Sequence, residues 1–184
     1  MWNQPSKQLL IAAAVTGLFM PAWMSGQASQ PQYKDPGEYT LYDSILKDTN
    51  PKTKLNKLQE WQTKYPSTAF AKQRKALFLD TYVKLNQPKE AVAAAQQILA
   101  DDPKDFTSLY YTMYFTRAVA GNNPTPDVLD QGEKAAAAIV ANIDTPPPNV
   151  TADQWKIARP GVETLGHATS GWIAICQPSP ASCS

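Results

Sequence analysis

From Pro36 to Ile175 the apolar positions recur at three- and four-residue spacing, the period of helices that are buried on one side. Tyr39, Tyr42, Ile45 and Leu46 share one face of a first predicted helix. Asn50 then caps a second, with Pro51 in the first turn, where a missing N–H costs nothing. Leu55, Leu58 and Trp61 form its apolar stripe, and Tyr65-Pro66 ends it. A third helix is expected from Ser67 to Leu85, carrying Phe70, Arg74, Leu77, Phe78 and Tyr82. Asn86-Gln87 turns the chain, Pro88 opens a partner helix, and Ala91, Ala95, Ile98 and Leu99 give its buried stripe before Asp101-Asp102-Pro103.

The same alternation continues. Asp105 to Ala120 predicts a helix with Leu109 and Met113 turned inward, and residues 121–125 a loop. Thr125-Pro126 repeats the cap-then-proline start, with Val128, Ala135, Ala136, Ile139 and Val140 as the buried stripe. Residues 144–149, DTPPPN, read as a stiff polyproline linker. Thr151 to Gln154 is a capping box opening a short helix through Trp155. Pro160-Gly161 is expected to interrupt it, and a last helix to run from Val162 to Ile175.

Two pairs of prolines set a period: Pro51 to Pro88 and Pro66 to Pro103 are both 37 positions apart. Asp43 and Asp80, Lys47 and Lys84, and Lys52 and Lys89 keep the same offset. A period in this range signals stacked repeats. Together with the helix–turn–helix unit and its closing proline, it resembles the tetratricopeptide repeat family. In the clearest unit Tyr82, Ala91, Ala95, Ile98 and Pro103 stand at the family's packing positions. Lys75 departs from the usual large aromatic, and Leu79 from the usual small residue. The upstream unit keeps Leu58, Trp61 and Pro66, with Ile45 and Lys54 as departures. The resemblance implies an all-α fold over residues 36–175: an α-α superhelix, or solenoid, of about three hairpins plus a terminal helix.

Residues 1–28 change the picture of where the protein works. One positive charge precedes the uncharged apolar run Leu9 to Met20, Pro21 breaks it, and small residues lead to Ala28. That is the layout of a cleaved secretory signal peptide, and the run falls short of the ~20 residues that span a bilayer. A periplasmic or secreted location is expected, with a polar lead-in over 29–35 and a disordered tail over 176–184. Both cysteines, Cys176 and Cys183, belong to that tail, where an oxidising compartment permits a bridge. Beyond residue 28 the chain carries 16 basic and 16 acidic residues. That balance lacks the concentrated positive field of a nucleic-acid or membrane-surface binder.

Catalytic chemistry finds no foothold. His167 is the single histidine and has no nucleophile or orienting carboxylate beside it in sequence. No His, Cys or carboxylate cluster has metal-ligand spacing, and no glycine-rich loop suits a phosphate, so no cofactor is expected. The family resemblance implies instead that the first helix of each hairpin lines a concave groove for a protein or peptide partner. It places Tyr39, Asp43 and Lys47 there from the first unit, Asp80, Val83 and Lys84 from the second, and Tyr110, Tyr114 and Arg117 from the third. Tyrosines would supply rigid contact area, and Lys84 or Arg117 would pair with an acidic group. Two alternatives stay open: the tyrosines serve as core, and the Asp–Lys recurrence reflects pairs within one helix. A second functional reading is a cell-envelope assembly component that self-associates through an open C-terminal helix face bearing Trp172 and Ile175.

Overall fold

A computed structural model describes residues 35–177. The signal peptide read at 1–28, the lead-in up to residue 34 and the tail from 178 lie outside the described residues. Seven helices and no strand make up the described chain: α1 (Pro36–Lys47), α2 (Pro51–Lys64), α3 (Ala71–Lys84), α4 (Pro88–Leu99), α5 (Phe106–Ala120), α6 (Pro126–Ala141) and α7 (Ala152–Cys176).

Local chemistry accounts for most of their starts. The Asp35, Asn50, Asp105, Thr125 and Thr151 side chains each accept a backbone N–H from the first turn they precede. At α7 the capping box is complete, because Gln154 also accepts the Thr151 N–H at 2.9 Å. Proline opens α1, α2, α4 and α6. Between α3 and α4, Asn86 takes the left-handed conformation at φ 52°. Its N–H donates to the Val83 carbonyl, and the Gln87 N–H to that of Tyr82, a Schellman turn that satisfies the last carbonyls of α3.

Three expectations are corrected. The third helix starts at Ala71 rather than Ser67. The Thr68 hydroxyl oxygen accepts the Phe70 N–H while its proton goes to Glu38, which holds residues 67–70 in a turn. Residues 152–176 form one unbroken helix with Pro160 inside it, not two pieces. Pro160 lacks the N–H that would bond the Lys156 carbonyl, and both residues are exposed. In α6 Ala135, Ala136 and Ile139 are buried as expected, joined by Leu129 and Gly132, whereas Val128 and Val140 are only half-buried. At Gly132 a Cβ would lie 2.5 Å from both Cγ2 and Oγ1 of Thr116, so the crossing of α5 and α6 is closed at this point to any side chain.

Each helix packs on its neighbours in sequence, and α5 additionally on α7. The core follows the same order. Ile45, Leu58, Trp61, Phe70 and Leu77 unite α1, α2 and the start of α3. Leu79, the buried face of α4 and Phe115 unite α3, α4 and α5. Met113, Ala135, Ala136, Ile139 and Trp155 unite α5, α6 and α7. Where the family pattern has an aromatic, Lys75 crosses from α3 to the end of α4, donating to the Gln97 carbonyl at 3.1 Å and pairing with Asp101. Among the described residues no helix is long and apolar enough to cross a membrane.

The turn from α1 to α2 is tied by Asp48. Its carboxylate accepts from Lys57 Nζ at 2.8 Å, from the Thr53 hydroxyl and from the Asn50 N–H. These donors, Lys57 foremost, hold its pKa down to about 2 from 3.8. The folded chain therefore binds fewer protons here than the unfolded chain, and the stability this group adds is lost as pH falls from 3.8 through about 2. Asp48→Asn is expected to melt below the parent at neutral pH, with the gap closing across that window. A gap unchanged from pH 7 to pH 2 in thermal melts would remove Asp48 as its cause.

Candidate functional site

The nine residues expected on the binding face divide into three groups. Asp43 and Lys47 pair with each other in α1 at 2.7 Å, and Asp80 and Lys84 in α3 at 2.8 Å. The Asp43 hydrogen bond raises the Lys47 pKa above its ordinary value, so this ammonium is charged at any physiological pH. The recurrence of these residues at the repeat period is thus also a recurrence of i,i+4 pairs.

Val83 is half-buried against the Leu79, Ala91 and Phe115 cluster, in the packing of α3 on α4 and α5. Tyr110 is likewise half-buried, against the Met113 and Ile139 cluster. Arg117 stands over the Trp172 ring at 5.3 Å, a cation–π contact between α5 and α7. Trp172 itself is half-buried against Leu129, Ile173 and Cys176. Ile175 is exposed.

Tyr39 and Tyr114 remain, 54% and 52% exposed. On α5 the tyrosines form an ordered surface. Phe106 stacks on Tyr110 at 6.3 Å and Tyr110 on Tyr114 at 6.0 Å, one helical turn apart each time. A second row runs beside it, Tyr111 stacked on Phe115 at 6.1 Å. Tyr110 meets Tyr111 edge-on at 5.3 Å, and Tyr114 meets Phe115 edge-on at 5.0 Å. Burial raises the pKa of Tyr110 and Tyr111, and Asp80 on α3 adds to the rise at Tyr111. Their hydroxyls are therefore neutral, and the α3 acid lies near the α5 aromatic rows. Tyr114 is the most exposed ring of this surface and contacts two neighbouring rings.

A buried polar cluster escaped the sequence reading. Glu38 is 5% exposed, and its Oε1 accepts from Trp61 Nε1 at 2.8 Å and from the Thr68 hydroxyl. Arg74 stands 5.6 Å over the Trp61 ring and donates to the Tyr65 and Pro66 carbonyls. The only local signal is that Glu38 follows the Asp35 cap by three residues, which reads as a capping box. Its partners are 23 and 30 residues away and invisible to any local pattern. The cluster joins α1, α2 and α3 through the Glu38 carboxylate. An open recess of about 410 Å³ lies nearby, lined by Gly37, Thr40, Leu41, Ser44, Glu60, Lys64 and Tyr65. Its two charges, Glu60 and Lys64, are paired with each other at 2.6 Å.

No family model, curated protein or solved structure matches the chain. Among the described residues no group of three His, Cys, Asp or Glu side chains could hold a metal, and His167 is exposed on α7. Cys176 ends α7, is 1% exposed and is disulfide-bonded; the chain's other cysteine, Cys183, lies outside the described residues.

Proposed function

We propose that this is an exported, tetratricopeptide-like interaction scaffold, in which α1–α2, α3–α4 and α5–α6 are successive stacked hairpins and α7 the terminal helix. An extended or helical peptide of a protein partner lies along the face formed by α1, α3 and α5. The observation that carries this reading is the aromatic surface of α5, where Tyr114 is half exposed yet held at fixed angles against Tyr110 and Phe115. A rigid, partly exposed tyrosine offers contact area with little ordering cost, which is what binding hot spots require. The stacked-hairpin reading is supported by core clusters drawn only from consecutive helices, the quasi-one-dimensional packing of repeat proteins. Export is supported by the layout of residues 1–28 and by the disulfide at Cys176, which suits an oxidising compartment.

Lys84 and Arg117 hold intramolecular partners, so the tyrosines rather than the cations are assigned the main part of binding. Tyr114→Ala removes a solvent-facing ring without opening the core. It is expected to weaken partner binding by about tenfold or more, with little change in melting temperature. Recovery of the same partners at the same level by the parent and Tyr114→Ala proteins would show that this face is not the binding surface.

A further inference from the structure

We draw no further inference here: the strongest candidate, the uncharged exposed face of α7 that carries Ile157 and Ile175, is an unpartnered surface, and nothing in the structure shows what covers it.

Discussion

Trp61→Ala is expected to cost about 3–5 kcal/mol of stability, the range for truncating a fully buried tryptophan, and to change the form of unfolding. Trp61 is 0% exposed and sits where α1, α2 and α3 meet. Tyr42 tilts against its ring at 5.2 Å, and the Arg74 guanidinium covers it at 5.6 Å. Removing the ring opens a cavity bounded by Ile45, Leu58, Phe70 and Leu77 and takes away the donor that holds Glu38. The Met113–Ile139–Trp155 cluster shares none of these residues. Urea unfolding followed by far-UV circular dichroism should therefore become biphasic, with helical signal from α1 and α2 lost first and the rest near the parent midpoint. A single transition displaced by less than ~1 kcal/mol would show that Trp61 does not bind the first three helices together.

Glu38→Ala is expected to cost about 2–3 kcal/mol, more than truncation of an ordinary surface glutamate, because it leaves the Trp61 N–H and the Thr68 hydroxyl without an acceptor in a buried place. It also takes the negative charge away from the partly buried Arg74, whose pKa burial already lowers and Glu38 supports. Glu38→Gln keeps an oxygen at the acceptor position and should cost less than half as much. Glu60→Ala is the reference, since Glu60 is exposed and bonded only to Lys64 in its own helix. Equal losses for Glu38→Ala and Glu60→Ala in chemical denaturation would mean that water replaces the bonds Glu38 makes.

The helix order could be read from the chain because its punctuation is local. Asn50-Pro51, Thr125-Pro126 and the Thr151–Gln154 box act within one turn of the helices they start, and apolar spacing reports burial without knowledge of the neighbour. What depended on the neighbour was not legible. Glu38 turns inward because of a tryptophan 23 residues on, and so leaves Tyr39 and Leu46 on the outside of α1. Gly132 is required by its close contact with Thr116 of α5, and α7 runs unbroken through the exposed Pro160. At the candidate site, Asp80 and Lys84 pair within α3, an alternative the spacing left open, and Val83 and Trp172 are half-buried against neighbouring clusters. Periodicity gives a helix its wet and dry sides but not which neighbour comes close enough to claim a residue at the boundary.

Packing mostly between sequence neighbours also shapes how the chain folds. All helix–helix contacts but that of α5 with α7 close a short loop, so little chain entropy is lost before native contacts repay it, and folding should be fast for a chain of this length. No single long-range pairing must come first; any adjacent pair can nucleate and recruit the next helix. The same arrangement leaves α1 lightly held. α1 packs its backbone on α2 alone, so its amide protons should exchange through a local opening well below the global unfolding free energy, while those of α5, in contact with α4, α6 and α7, should exchange last.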